Sequence, residues 1–325
     1  KLLKIPGIGT RAAAAIQNQS GLARAEEEIK FIHKYNIRVL HYPDDDYPKR
    51  LKHCADSPVL LYYKGNADLN AAKILSIVGT RDATEYGKTL CEKLIEELAP
   101  YNVMIVSGLA YGIDICAHNA ALDNQLPTVG VLAHGLDKIY PPVHAPTAKR
   151  MVAEGGLLTD FMSKTKPDRE NFPKRNRIVA GISDATIVIE SKNGGGSLIT
   201  ADIANSYSRD VFAFPGRVDD ECSAGCNRLI KTNKAALIQS AKDIVYIMGW
   251  EEKKKKNAPR QRQLFVDLNP EEEILVSVLK EKQTVNIDDI CFSSKMPMSK
   301  VSTLLLNLEF SGVVRSLPGK MYSLN

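Results

Sequence analysis

Short apolar runs alternate with helical segments through the middle of this chain. Near-continuous apolar runs are typical of strands that are buried on both faces of a parallel sheet. Strands are predicted at Ile74–Val78, Val103–Ser107, Thr128–Ala133, Gly156–Asp160, Ala185–Glu190, Val211–Phe214 and Ala235–Ile238. Helices are predicted at Glu85–Leu98, Gly112–Leu122, Pro146–Glu154, Arg175–Ile182, Leu198–Ser206, Asn227–Lys231 and Ala241–Met248. The alternation predicts an α/β fold with a Rossmann-like parallel sheet core over residues 69–250, whose ligand should lie at the carboxyl ends of the strands.

A small helical N-terminal domain is predicted before this sheet. Residues 1–68 are expected to be short helices and loops, in which Ile5–Ile16 has the form of the hairpin in a helix-hairpin-helix or SAM-like region. There Gly7 and Gly9 would bring backbone N–H groups close to a phosphate, and Thr10 would cap the next helix. An ordinary turn between two helices would use the same glycines, so both interpretations stay open.

A C-terminal winged-helix domain is predicted at residues 268–325. Its third helix shows the i, i+3, i+4, i+7 apolar spacing, and a hairpin that turns at Pro318–Gly319 follows it. After Lys300 that helix has mostly apolar or neutral residues up to Glu309. Contact with a protein therefore explains this domain as well as DNA reading does.

Charge is concentrated in two places rather than spread along the chain. The net charge is +5, and Glu251 to Gln263 alone carries six cations against two anions. Residues 251–267 are therefore predicted to be a basic linker. A second cluster of six cations runs from Lys164 to Arg177. Bulk charge does not indicate nucleic acid here, but local clustering of cations can.

Composition and motifs exclude several classes of protein. No apolar run approaches the roughly 20 residues that cross a bilayer. The six cysteines are scattered without zinc spacing, which indicates reduced thiols in a cytoplasmic protein. The chain has neither a dinucleotide fingerprint nor a G-x-x-x-x-G-K-[ST] P-loop. We therefore expect no metal and no cofactor.

Three predicted turns bring glycine and small polar residues to the carboxyl edge of the sheet. They follow the first, second and fifth strands and read V-G-T-R, S-G-L-A-Y-G-I-D and G-G-G-S. Exposed backbone N–H groups at such turns and helix starts bind anions. The turns supply Gly79, Arg81, Ser107, Gly108, Gly195, Gly196 and Ser197. One such turn is ordinary, but three of them beside the cations of Lys174–Arg177 predict a phosphate-binding rim.

The sequence features that would indicate a hydrolase are weaker than those that indicate the phosphate-binding rim. Asp114 and His118 lie one helical turn apart after Ser107, a spacing that a nucleophile and its base could use. Bracing of the first helical turn explains the pair better. The carboxylate run Asp219–Glu221 is weak evidence for a metal site, because nuclease sites gather carboxylates from several elements.

The longest motifs together resemble one known family. S-G-L-A-Y-G-I-D-I-C-A-H-N-A-A-L, F-P-K-R-N-R-I-V-A-G-I-S, G-G-G-S-L-I-T-A, V-F-A-F-P-G and S-A-G-C-N-R-L-I are similar to the bacterial DNA-processing protein A (DprA/Smf) family, over essentially the whole chain. The resemblance implies a single-stranded DNA-binding recombination mediator that loads RecA onto incoming DNA during natural transformation. It also implies a cytoplasmic homodimer with no catalytic residues and no turnover.

Carried over by position, the resemblance implies that the rim and the F-P-K-R-N-R motif contact DNA. The implied contacts are Gly79, Arg81, Ser107, Gly108, Phe172, Lys174, Arg175, Asn176, Arg177, Gly195, Gly196 and Ser197. Ser208 stands just before Arg209 where the family usually has glycine, and Asn233 stands where glycine is common. These two departures concern local loop geometry more than function.

Two other interpretations compete with this one. A nucleoside-monophosphate phosphoribohydrolase of the lysine-decarboxylase-like type would carry P-G-G-x-G-T-x-x-E with a catalytic glutamate. Here Thr200 stands near the place of that glutamate, and a neutral threonine does not stabilise a developing oxocarbenium ion. A transcription regulator that acts through the winged helix is disfavoured by the weakly basic third helix of that domain.

Overall fold

A computed structural model of the chain describes residues 2–5, 8–18, 21–251 and 268–325. Its helices are α1 Thr10–Gln17, α2 Leu22–Tyr35, α3 Lys49–Lys52, α4 Glu85–Leu98, α5 Ile113–Asp123, α6 Ala145–Glu154, α7 Asn171–Ile182, α8 Gly196–Ser206, α9 Ala224–Lys231, α10 Ala241–Ile247, α11 Pro270–Lys282, α12 Ile287–Ser294 and α13 Met298–Phe310. Its strands are β1 Arg38–His41, β2 Leu60–Gly65, β3 Ile74–Val78, β4 Met104–Ser107, β5 Thr128–Val131, β6 Gly156–Thr159, β7 Ala185–Val188, β8 Asp210–Ala213, β9 Ala236–Leu237, β10 Val285–Asn286, β11 Val314–Leu317 and β12 Met321–Leu324.

The main sheet has nine strands in the order β1-β2-β6-β5-β4-β3-β7-β8-β9. Strands β3 to β9 pair in parallel, as the Rossmann-like prediction requires. The strand order runs one way from β3 to β6 and the other way from β7 to β9. A crevice therefore opens between the carboxyl ends of β3 and β7, which is where ligands bind in such sheets.

Helices cover both faces of the sheet because its central strands are apolar on both sides. All five residues of β3 are buried. Ile74 and Val78 belong to the core on one face, with buried residues of α7 and α8. Leu75 and Ile77 belong to the core on the other face, with buried residues of α4, α5 and α10. The alternation follows from the two-residue period of a strand.

The N-terminal region differs from its prediction. The expectation of only short helices and loops over residues 1–68 is wrong, because β1 and β2 pair with each other and β2 pairs antiparallel with β6. The hydroxyl of Tyr63 in β2 donates to the carbonyl oxygen of Gly155, 92 residues away. Such a pairing leaves no local sequence signal. The domain boundaries stay predictions, and this sheet favours a boundary before Arg38 over one near residue 68.

The predicted hairpin at the start of the chain is described in part. Gly9 is the N-cap of α1 and Thr10 is its first residue, so the prediction that Thr10 caps this helix is wrong. Gly7 lies outside the described residues, as do residues 252–267 of the predicted basic linker.

The winged-helix prediction is confirmed. Helices α11 to α13 pack on a three-stranded sheet in the order β10-β12-β11. Its hairpin packs against the end of the main domain, where a side chain on Gly319 would overlap with the backbone of Met248. Lys320 Nζ lies 3.6 Å from Asp210 Oδ2 at the amino end of β8. The domain is therefore docked at the amino edge of the sheet, opposite the crevice.

Ser208→Gly is expected to raise the free energy of unfolding by about 0.5–1 kcal/mol, because residues other than glycine are strained in the left-handed region. Ser208 has φ +58° and Asn233 has φ +54°, so both residues lie in the left-handed region that glycine adopts without strain. Asn233→Gly is the comparison variant and should gain less, since asparagine tolerates this conformation. Urea unfolding measures both. A loss of stability in Ser208→Gly would contradict the strain argument.

Candidate nucleic-acid interface

An open cleft of about 390 Å³ lies between the turns that follow β3, β4 and β7. The topology brings these turns together because the carboxyl ends of parallel strands share one edge. Nine of the predicted site residues line it: Gly79, Arg81, Gly108, Phe172, Arg175, Asn176, Gly195, Gly196 and Ser197. Ser107, Lys174 and Arg177 do not line the cleft.

A cation and two aromatic rings meet at the mouth of this cleft. The exposed Arg81 guanidinium carbon lies 5.1 Å from the ring centroid of Phe172. The Phe172 ring lies 6.3 Å from that of Tyr140, whose side chain is also exposed. Tyr140 is not among the predicted site residues, although an aromatic residue in the connection after β5 lies at the same sheet edge. Together these groups offer a charged and a flat apolar surface side by side.

The start of α8 forms a second wall of the cleft. Gly195 is the N-cap of this helix, and Gly194 before it has φ +76°. A side chain added at Gly194 or Gly196 would meet no other atom within 4 Å, so the backbone here is open to a ligand. Backbone N–H groups and the helix dipole favour an anion at such a place. The hydroxyl of Ser197 donates to Ser191 Oγ at 2.8 Å and so serves the turn itself.

Two glycines of the rim are needed by packing. A side chain at Gly79 would overlap with Ile113 of α5. A side chain at Gly108 would overlap with the guanidinium group of Arg175. Both glycines line the cleft, but close approach of α5 and Arg175 accounts for them without any ligand.

Arg175 lies beneath the cleft instead of projecting from its rim. Its side chain is only 4% exposed, and Nη1 donates to the carbonyl oxygen of Val131. Burial lowers the pKa of Arg175 to about 10, and the nearby Asp114 carboxylate opposes that shift. Helix α7 begins at Asn171, four residues before the predicted start. Arg175 therefore lies within the helix, on the face that packs against the sheet.

Asp114 supports the same part of the cleft. Its carboxylate accepts hydrogen bonds from the backbone N–H groups of Gly108 at 3.1 Å and Ala110 at 3.4 Å. Burial raises the pKa of Asp114, and the positive charge of Arg175 counteracts that effect. This agrees with the bracing interpretation of Asp114.

Three predicted site residues do not line the cleft itself. Ser107 is buried, and its hydroxyl donates to the carbonyl oxygen of Ile77 at 2.6 Å. Arg177 Nη2 forms an ion pair with Asp160 Oδ2 at 2.6 Å. Lys174 is exposed beside the cleft, in the first turn of α7.

The features that a hydrolase would use are not assembled for chemistry. His118 is fully buried with Nδ1 2.7 Å from Thr128 Oγ1, and burial lowers its pKa to about 3. Thr200 lies in the wall of the cleft, 2% exposed. Within the described ranges, no three His, Cys, Asp or Glu side chains are grouped closely enough to hold a metal ion. In the same part of the chain, no helix has the length and apolar character that crossing a bilayer requires.

Comparisons with known proteins agree with this architecture. A family model described as DNA recombination-mediator protein A matches residues 38–249, and one described as DprA winged helix domain matches residues 258–320. Protein Smf of Synechocystis sp. is 32% identical over 98% of this chain and 88% of its own length. DNA processing protein DprA of Streptococcus pneumoniae is 41% identical over 62% of this chain and 71% of its own.

Two solved structures share the fold. The X-ray structure of DNA processing protein A from Streptococcus pneumoniae aligns with a TM-score of 0.63 and 38% identity, over 66% of this chain and 76% of that one. DNA processing protein A from Helicobacter pylori, whose structure describes a single-stranded DNA binding mode, aligns with a TM-score of 0.59 and 29% identity. That alignment covers 65% of this chain and 94% of the other. The chain therefore belongs to the DNA-processing protein A (DprA/Smf) family of DNA recombination mediators.

Proposed function

We propose that this protein binds single-stranded DNA in the cleft at the carboxyl edge of its sheet. The observation that carries the proposal is the Arg81–Phe172 pair, which faces the open start of α8 across one cleft. Single strands are held by cations that follow the backbone and by rings on which bases stack. A duplex keeps its base faces stacked inside, so Phe172 favours an unpaired strand. Binding by this route depends little on sequence.

The proposed contacts divide into two groups. Arg81, Phe172, Asn176 and Lys174 would contact DNA with their side chains, and the backbone of Gly195–Ser197 would bind a phosphate. The other predicted residues support this surface: Gly79 and Gly108 by packing, Ser107 and Arg175 through hydrogen bonds, and Arg177 through its ion pair.

The proposed cellular role is that of a cytoplasmic recombination mediator, which loads RecA onto incoming single strands during natural transformation. RecA and a second copy of this chain are the proposed partners, and family membership supports both. Binding without turnover is proposed, since Asp114 accepts hydrogen bonds from backbone N–H groups and Thr200 stands near the place where the phosphoribohydrolases carry a glutamate. Incubation with AMP should therefore release no adenine.

Arg81→Ala is expected to weaken single-strand binding at least several-fold. Arginine can both neutralise a phosphate and stack on a base, and loss of a stacking contact costs about 1–3 kcal/mol. Loss of one phosphate contact should also flatten the dependence of log Kd on log salt by about one unit. Fluorescence anisotropy of a labelled oligonucleotide across a salt series measures both effects. Lysine at this position should rescue binding only in part.

The matched control is Lys300→Ala, which removes one exposed cation from the winged helix, where it pairs with Glu271 at 2.5 Å. This variant should bind as the native protein does. Equal affinity of the native protein for duplex and single strands at moderate salt would count against the cleft. So would unchanged binding by a folded Arg81→Ala protein.

A further inference from the structure

Helix α2 docks onto the main domain through a carboxylate. Glu28 is the buried residue of this helix, with a side chain only 6% exposed. Its carboxylate accepts a hydrogen bond from the backbone N–H of Ser163 at 2.9 Å and from the hydroxyl of Ser163 at 2.5 Å. Arg24 Nη2 donates to the same carboxylate at 2.7 Å and to the carbonyl oxygen of Ser163 at 2.5 Å. Glu28 and Arg24 of α2 thus bind the backbone N–H and the backbone carbonyl of Ser163, respectively.

Burying a carboxylate is costly unless it is fully hydrogen-bonded. No apolar side chain of α2 is fully buried: Phe31 and Ile32 are half-buried, and Leu22 and Ile29 are exposed. Hydrogen bonds are directional, so they fix position more narrowly than apolar contact does. The arrangement indicates that the exact placement of Ser163 matters.

Ser163 belongs to the β6–α7 connection, which we define as residues 160–170. Beyond Ser163 the connection is hydrogen-bonded at successive points. Lys164 donates its backbone N–H to Asp137 Oδ1 at 2.8 Å. Asn171 donates its side-chain amide to the carbonyl oxygen of Lys166 at 3.1 Å. These bonds hold residues 163–171 in one conformation, so the position of Ser163 is linked to that of the start of α7.

The start of α7 carries the groups that face DNA in the proposed function. Phe172, the second residue of α7, lines the cleft beside Arg81, and Lys174 is exposed two residues later. Asp160, the first residue of the connection, forms an ion pair with Arg177 of α7. The connection is thus held at its start by Asp160 and at its end by Asn171, and α2 holds it between them at Ser163.

We propose that Glu28 is a positioning residue for single-stranded DNA, which acts through Ser163 on the placement of Phe172 and Lys174. This inference rests on the proposed function of the cleft. Glu28 does not touch the nucleic acid. Its role gives the N-terminal region a part in DNA binding, although α2 lies outside the sheet that forms the cleft.

Glu28→Gln and Glu26→Gln form a matched pair that tests the proposal. Each variant removes one negative charge from the same helix. Glu26 is exposed on α2, whereas Glu27 is avoided as a control because it forms an ion pair with Lys164 of the connection at 2.6 Å. Charge alone predicts slightly tighter binding of a polyanion by both variants. Positioning predicts that Glu28→Gln binds single strands at least several-fold more weakly, while Glu26→Gln binds as well as the native protein or better.

Anisotropy with a labelled oligonucleotide over a salt series is the measurement, on full-length protein whose folding is checked by a thermal melt. The dependence of log Kd on log salt should also become flatter in Glu28→Gln, because Lys174 is displaced from the DNA phosphate that it contacts in the native protein. A role in stability alone would leave both affinity and slope unchanged at temperatures where the variant is folded. Native affinity and slope in folded Glu28→Gln would overturn the proposal.

Glu28→Asp provides a second route if Glu28→Gln does not fold. Aspartate keeps the charge but withdraws the carboxylate by one methylene group, so weaker binding is again expected. Native affinity in this variant would equally overturn the proposal. If the native protein itself binds no single strands, or Arg81→Ala binds as well as it does, the proposed function fails instead. The two failures are therefore distinguishable within one experiment.

Discussion

Arg209→Ala is expected to lower the free energy of unfolding by about 3–5 kcal/mol, because it leaves a buried carboxylate without its partner. Arg209 Nη1 is paired with Asp288 Oδ2 between the main domain and α12 of the winged helix. The two side chains are 5% and 11% exposed. Arg209 Nη2 also donates to the carbonyl oxygen of Arg50 at 2.8 Å. Urea unfolding followed by circular dichroism measures the loss.

The control for this variant is Lys234→Ala, which removes an exposed pair with Asp202 at 2.7 Å. Exposed pairs contribute about 0–1 kcal/mol, so this change should be small. A loss in Arg209→Ala no larger than that of the control would contradict the interface. Arg209 immediately precedes Asp210, the first residue of β8, so it lies at the amino edge of the sheet. Single-strand binding at the opposite edge should therefore be retained while the variant is folded.

Arg175→Ala is expected to lose both stability and single-strand affinity, in contrast to Arg81→Ala, which should lose affinity alone. The buried guanidinium of Arg175 donates to the carbonyl oxygen of Val131, and loss of the partner of a buried acceptor costs about 1–3 kcal/mol. Its positive charge also favours the ionised form of the buried Asp114, and the variant loses that attraction as well. The backbone of Gly108, which Asp114 holds, would then be less well fixed. Thermal melts beside anisotropy measurements separate the two effects.

The stability loss of Arg175→Ala should depend on pH. Burial already raises the pKa of Asp114, and Arg175 works against that shift. Without Arg175 the folded pKa rises further above the unfolded value of about 3.9, so folding favours the protonated carboxyl. The variant should then lose stability relative to the native protein as pH rises above about 4. If the difference in stability between Arg175→Ala and the native protein became smaller toward neutral pH, Asp114 would not be the group responsible.

The double variant Arg175→Ala/Asp114→Asn isolates the charge from the packing. It removes the buried negative charge that Arg175 no longer offsets, so part of the stability lost at neutral pH should return. Affinity should not return with it, because the floor of the cleft is still altered. If the double variant is no more stable than Arg175→Ala alone, the unpaired charge is not the cause.

Local pattern was sufficient where strands and helices are long and regularly patterned. Ile74–Val78 and Glu85–Leu98 were predicted with the bounds that the structure has. The start of α7 was not, because Pro173 is an ambiguous signal that the first helical turn tolerates. Because the predicted start was four residues too late, Arg175 was placed at the exposed start of the helix, whereas it lies within the helix on the buried face.

The sequence by itself determined the family, the parallel sheet, the winged helix and the edge at which the cleft lies. These follow from apolar periodicity and from motifs within short stretches of chain, which local sequence records. Only the tertiary structure decided that β1 and β2 extend the sheet, that Arg175 is buried, and that Glu28 and Arg209 hold distant segments. Each of these depends on a pairing of residues far apart in the chain, and burial of a charge is settled by its distant partner rather than by its neighbours in sequence.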